Sequence, residues 1–123
     1  MFQVARERVF SASHQLRGYK GSCERLHGHN WRVRVHIEAD VLDELGMVID
    51  FHELDRIMEE VLAPFDHRHL NDVSPFDGIN PSSENLARYI GEGVKKQLLD
   101  TRVRFRCCEV WENDLSRARY FLD

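Results

Sequence analysis

His27-Gly28-His29-Asn30-Trp31-Arg32-Val33-Arg34-Val35-His36-Ile37-Glu38 is the stretch on which the fold turns. Trp31, Val33, Val35 and Ile37 alternate with Asn30, Arg32, Arg34, His36 and Glu38. A period of two marks a strand with one buried face and one polar face. His27 and His29 share the parity of the apolar face, so two imidazoles aim at one point. Gly28 between them leaves room for the close approach of another group. Two neutral imidazoles, a third ligand and an open position describe a catalytic zinc site.

Upstream, Met1 to about His14 alternates loosely through Phe2, Val4, Phe10 and Ala12 and reads as a second strand. The break at Arg6 and Arg8 reads as a bulge. His14 shares parity with Phe10 and Ala12. If the two strands pair as an antiparallel hairpin, His14, His27 and His29 meet near one end, and three imidazoles suit zinc better than copper or nickel. Between the strands, Gln15 to Arg25, with Gly18 and Gly21, reads as a loop carrying Cys23. Three readings of Cys23 stand: a base or nucleophile whose pKa a nearby cation lowers, a fourth ligand that closes the site, or a buried inert thiol.

Downstream, Asp50 caps a helix whose apolar positions are Leu54, Ile57, Met58, Val61 and Leu62, with Pro64 ending it. A loop runs from Asp66 to Pro81. Ser82 or Ser83 caps a second helix with Leu86, Ile90, Val94 and Leu98 on one face, and Gly91 and Gly93 weaken its middle. Strands follow at about Val103 to Glu112 and Arg117 to Leu122. The order strand, strand, helix, helix, strand, strand predicts an α+β domain, a four-stranded antiparallel sheet with both helices on one face.

The chain has 123 residues, a formal net charge of −4 and three cysteines. That length predicts a single domain over 1–123. No basic tract suggests a nucleic-acid surface, and no apolar run suggests a membrane span or a signal peptide. An odd cysteine count, with Cys107 and Cys108 alternating across a strand, predicts free thiols and a reducing cytoplasm.

Three further features carry chemistry. Asp66 beside His67 is either a carboxylate that orients an imidazole or a polar turn. Glu112 is either a solvated strand end or a carboxylate that grips a guanidine-like ligand edge through paired hydrogen bonds. His36 and His52 read as surface or cap residues, and Cys107, Cys108 and Trp111 as sheet packing.

Phe10-Ser11-Ala12-Ser13-His14, Cys23-x-x-x-His27-Gly28-His29-Asn30 and Met47-Val48-Ile49-Asp50-Phe51 occur in that order. Asp66-His67 with Leu70-Asn71, Asn80-Pro81-Ser82-Ser83-Glu84-Asn85 and Val110-Trp111-Glu112 follow. Together they resemble the family of 6-pyruvoyl- and 6-carboxy-tetrahydropterin synthases over nearly the whole chain. The resemblance implies the tunnelling fold, in which three sheets close a barrel and two trimers stack as a homohexamer. It implies Zn2+ on His14, His27 and His29, a catalytic thiol at Cys23, a relay of Asp66 and His67, and Glu112 anchoring the pterin. Family sites lie between subunits. The implied activity is a lyase acting on 7,8-dihydroneopterin triphosphate. The three residues between Cys23 and His27 resemble the carboxy-forming branch, which releases acetaldehyde and triphosphate and feeds queuosine synthesis. The alternatives are the pyruvoyl-forming branch and a non-catalytic zinc or pterin-binding module. A metal phosphohydrolase would call for carboxylates among the ligands or a second metal.

Overall fold

The computed structural model describes residues 1–18 and 25–122. Strand β1 (Phe2–His14) pairs antiparallel with β2 (His27–Ala39) without a break, from Phe2 opposite Ala39 to His14 opposite His27. Helix α1 (Phe51–Leu62) and helix α2 (Ser83–Gln97) follow, separated by a two-residue strand β3 (Arg68–His69) and a single 3-10 turn at Leu70–Asp72. Strands β4 (Val103–Asn113) and β5 (Ser116–Phe121) complete an α+β fold whose sheet order is β3-β1-β2-β4-β5.

The sheet therefore has five strands where the sequence predicts four. The additional strand pairs parallel with Ala12 and Ser13 of β1 and is too short to carry a period. The bulge expected at Arg6 and Arg8 is absent. Both arginines sit on the helix-facing side of β1 and reach α1, Arg6 to Asp55 and Arg8 to Asp55 and Glu59. What looked like a break in the alternation is a set of strand-to-helix ion pairs. The actual irregularity lies in β4, where the register with β2 shifts between His36 and Ile37.

The apolar face of β2 is fully buried, with Trp31, Val33, Val35 and Ile37 all at 0% exposure. Leu54, Ile57 and Met58 of α1 and Leu86, Ile90 and Val94 of α2 cover it in one cluster. The caps form as the sequence predicts: Asp50 Oδ1 accepts from the His52 N–H at 2.8 Å, and Ser82 Oγ from the Asn85 N–H at 3.1 Å. The two glycines of α2 have packing roles. A Cβ on Gly91 would stand 2.9 Å from Phe105 Cζ and 3.0 Å from Cys108 Cβ, and one on Gly93 would stand 3.2 Å from Val61 Cγ1. Gly91 lets α2 lie close on β4, and Gly93 lets it lie close on α1. That proximity offsets the helix propensity they forgo.

Candidate metal centre and catalytic cleft

Strand pairing does the assembly. His14 ends β1 opposite His27 at the start of β2, and both share the helix-facing side with His29. The ring centroids lie 4.4 Å apart for His14 and His27, 5.1 Å for His14 and His29, and 4.8 Å for His27 and His29. Trp31 packs edge-on against His14 and His29 and floors the cluster.

Backbone carbonyls fix which nitrogen of the His14 and His27 rings faces inward. His14 Nδ1–H donates to the Pro81 carbonyl at 2.8 Å, and His27 Nδ1–H donates to the Arg25 carbonyl at 2.7 Å. A neutral ring with its proton on Nδ1 presents a lone pair at Nε2. The Nε2 atoms of His14 and His27 then face each other at 2.9 Å. Two lone pairs at that distance repel unless a proton or a metal ion lies between them. His29 Nε2 is buried and makes no hydrogen bond among the described residues. Burial holds the pKa of both His14 and His29 below the ordinary value. Two imidazoles oriented by backbone carbonyls, with an orphaned inward nitrogen on the third, fit a metal ion.

Glu112 joins this cluster. Its Oε1 lies 3.3 Å from His14 Nε2 and 3.4 Å from His29 Nε2, and the four donor atoms fall within 4.8 Å of one another. Trp111 and Glu112 are adjacent on β4, so while Trp111 faces the open side Glu112 faces the histidines.

Asp66 and His67 form a second unit beside the edge of β1. Asp66 Oδ1 accepts from the Ser11 N–H at 3.0 Å and lies 3.0 Å from His67 Nδ1. The Ser11 N–H and then His67 hold the Asp66 carboxyl below the usual carboxylate range. His67 N–H donates to the Ser11 carbonyl at 2.6 Å, and its backbone is left-handed, with φ at 59°. A non-glycine residue there stores about 1–3 kcal/mol of strain, a pattern found at working sites. The His67 side chain is 80% exposed. It borders a cleft of about 490 Å3 with Ser11, Ser13, Asn30, His29 and His69. His14, His27 and Glu112 do not line this cleft. Within one chain, His29 is thus the member of the cluster that borders the same cleft as His67. Cys23 lies outside the described residues.

Two asparagines tie the end of β1 to the segment that leads into α2. Asn71 accepts from the Gln15 N–H at 2.9 Å and donates to the Gln15 carbonyl at 2.7 Å. Asn80 does the same for Arg17, at 2.9 and 3.0 Å. Each side-chain amide imitates a neighbouring strand. Arg17 then donates to the carbonyls of Phe76 and Ile79. This clasp carries Pro81, and hence its bond to His14. The Asn80-Pro81 motif was visible in the sequence, but its pairing across more than sixty residues was not.

The 6-pyruvoyl tetrahydropterin synthase family model matches residues 3–122. The chain belongs to this family. It is 35% identical over 126 residues to the 6-carboxy-5,6,7,8-tetrahydropterin synthase of Synechocystis sp., covering 98% of this chain and 94% of that protein. It is 33% identical over 122 residues to the 6-pyruvoyl tetrahydrobiopterin synthase of Dictyostelium discoideum, covering 89% and 90%. The solved structure of the Caenorhabditis elegans 6-pyruvoyl tetrahydropterin synthase superposes with a TM-score of 0.85 at 31% identity, over 100% of this chain and 98% of that one. The fold is thus the tunnelling fold that the motifs implied, and the chain is an enzyme of the pterin synthase family. No helix is long and apolar enough to cross a membrane among the described residues.

Proposed function

We propose that this enzyme is a zinc-dependent lyase that converts 7,8-dihydroneopterin triphosphate into 6-carboxy-5,6,7,8-tetrahydropterin, acetaldehyde and triphosphate, a step toward queuosine. The observation that carries the metal reading is the 2.9 Å approach of His14 Nε2 and His27 Nε2 while both Nδ1 protons are held by carbonyls. His14, His27 and His29 would hold the ion, which supplies a Lewis acid for oxygens of the substrate side chain.

The remaining roles belong to the chain itself. Cys23 removes a proton from the substrate side chain as a thiolate. His67 gives or takes a proton at Nε2, with Asp66 fixing the proton on Nδ1. Glu112 accepts from the N–H donors on the pyrimidine edge of the pterin. Its approach to His14 and His29, at 3.3 and 3.4 Å, supports a pterin edge bound near those histidines. Of the cluster, only His29 borders the cleft of His67 within one chain, while His14, His27 and Glu112 do not, which supports a site shared between subunits and a homohexamer of two stacked trimers. The open edge of β5, and that of β1 below its short pairing with β3, favour such closure. A cytoplasmic setting suits the free, buried Cys107 and Cys108.

The three-residue interval from Cys23 to His27 and the 98% coverage by the Synechocystis relative support the carboxy-forming reaction. Mass spectrometry of the products from dihydroneopterin triphosphate tests it. Carboxy-tetrahydropterin with acetaldehyde is expected. Accumulation of 6-pyruvoyl-tetrahydropterin without acetaldehyde would move the chain to the sister activity, named for the Dictyostelium relative. No turnover with tight pterin binding would leave a binding module.

A further inference from the structure

The face of the sheet turned away from the helices carries its own ordered charge. Register places Val9, Arg32, Trp111 and Arg117 in one row across β1, β2, β4 and β5. The next row is Glu7, Arg34, Glu109 and Arg119, in strict alternation of sign. In that second row Arg34 pairs with Glu7, and Arg119 donates to Glu109 at 2.8 Å. Arg117 reaches over to Glu109 at 3.0 Å, and Arg34 stands 3.8 Å from it. Three guanidiniums thus share two carboxylates, and Arg32 stands beside them as a fourth.

The surplus collects on Trp111. The guanidinium carbons of Arg32, Arg34 and Arg117 lie 4.3, 4.9 and 5.4 Å from the Trp111 ring centroid. They cover the indole until it is only 8% exposed on a face that no helix covers. Cation–π attraction holds each of them, yet three like charges on one ring repel one another. Arg32 has no carboxylate partner among the described residues, and its Nε is buried with no hydrogen bond. A buried donor left unpaired is costly, and Arg32 brings to this face a positive charge that no carboxylate among the described residues offsets.

A cation would not serve. His36, Cys107 and Glu109 offer donor atoms within 4.8 Å of one another on this same face. Glu109, however, is already surrounded by Arg34, Arg117 and Arg119, and a metal ion there would meet three guanidiniums.

We infer that Arg32, Arg34 and Arg117, arrayed on Trp111, form a binding site for a multiply charged phosphate-type anion on the face opposite the metal ligands. Planar guanidiniums match phosphate oxygens through paired N–H donors. The surplus of charge selects a polyanion over chloride. The site does not depend on the metal centre or on the reaction proposed above.

Inorganic triphosphate is the probe, titrated into the full chain at about 0.1 M salt, where near charges still act. Fluorescence of Trp111 is the readout. Trp31 is wholly buried on the other face, and a Trp31→Phe background isolates the signal. Saturable binding is expected, weakened at least tenfold in Arg32→Gln/Arg117→Gln and partly restored by Arg32→Lys/Arg117→Lys. His27→Ala should bind triphosphate as the parent does, which separates this site from the metal centre. Unaltered thermal unfolding certifies that the variants fold. Equal binding by the parent and the Arg32→Gln/Arg117→Gln variant would overturn the inference. So would loss of binding in His27→Ala. If triphosphate does not bind and Arg32→Gln instead changes the sedimentation coefficient, the arginines pair with a neighbouring copy, and the anion site is likewise refuted.

Discussion

The two faces of one sheet, built from alternate residues of the same strands, have opposite characters. The helix-covered face of β2 runs from His27 and His29 into a dry apolar core. The open face runs from Asn30 through Arg32, Arg34 and His36 in a lattice of charge. On the covered face an inward nitrogen lacks a proton donor. On the open face a guanidinium lacks an acceptor. The first asks for a cation and the second for an anion, and the peptide plane keeps the two apart. The lesson is that burial alone does not define a site: His29 and Glu109 are both shielded, but their neighbours differ in sign.

Substitution of a ligand on the covered face should have the largest effect. His27→Ala should lose metal and lower turnover on the order of 10³-fold, several kcal/mol of transition-state stabilisation, with the fold retained. Metal analysis beside circular dichroism checks it. Cys23→Ala sharpens the same point: it should keep the metal and still lose about 10²- to 10⁴-fold in rate. Full metal content in His27→Ala, or metal loss in Cys23→Ala, would break the division of roles.

On the open face the corresponding residue is Glu109, which is wholly buried. Burial by itself raises its pKa, but His36 and Arg119 outweigh that and hold it below the ordinary value. Arg34, Arg117 and Cys107 complete its surroundings. A depressed carboxyl stabilises the fold above its unfolded pKa, and that contribution is lost as pH falls through the folded pKa. Acid should therefore weaken the parent below about pH 4.5, and Glu109→Gln should flatten this slope. The variant should also lose about 1 kcal/mol at pH 7, because Arg117 and Arg119 lose their carboxylate but stay 41% and 44% exposed to solvent. Denaturant midpoints at pH 7 and pH 4 measure both effects. Unchanged stability at pH 7 would mean that the lattice is only decoration.

Gly91→Ala tests where the covered face is tightest. Overpacking against Phe105 and Cys108 should cost about 1–3 kcal/mol, outweighing the gain of about 1 kcal/mol in helix propensity. Thermal unfolding gives the sign. At the clasp, Asn80→Ala removes two hydrogen bonds and should cost about 1–2 kcal/mol. It should also weaken metal binding about tenfold through the His14–Pro81 contact. A metal-competition titration separates this second-shell loss from simple destabilisation.

The parity of Trp31 to Ile37 revealed β2, and the shared parity of His14, His27 and His29 revealed their meeting point. Caps at Asp50 and Ser82 were legible because the side chain that caps is local. What escaped was held by distant partners. Arg6 and Arg8 looked like a break because their partners, Asp55 and Glu59, lie on α1. His36 read as an ordinary surface residue, yet it bonds Glu109, 73 positions away. Pro81 and Arg25 orient the imidazoles through carbonyl oxygens, which every residue has and no motif advertises. Strand β3 is two residues long and carries no period to read.

The paired amides of Asn71 and Asn80 also bear on how such a chain can diverge. Arg17 is fastened by Asn80, and the Arg25 carbonyl is fastened by His27, so a fixed post stands on either side of positions 19 to 24 of the sequence. The carbonyls that orient His14 and His27 belong to Pro81 and Arg25, outside that interval. A change in the spacing of Cys23 along the sequence therefore leaves both of those contacts available. A lineage could retune which bond is broken by respacing one thiol, while the metal-binding hairpin is inherited intact.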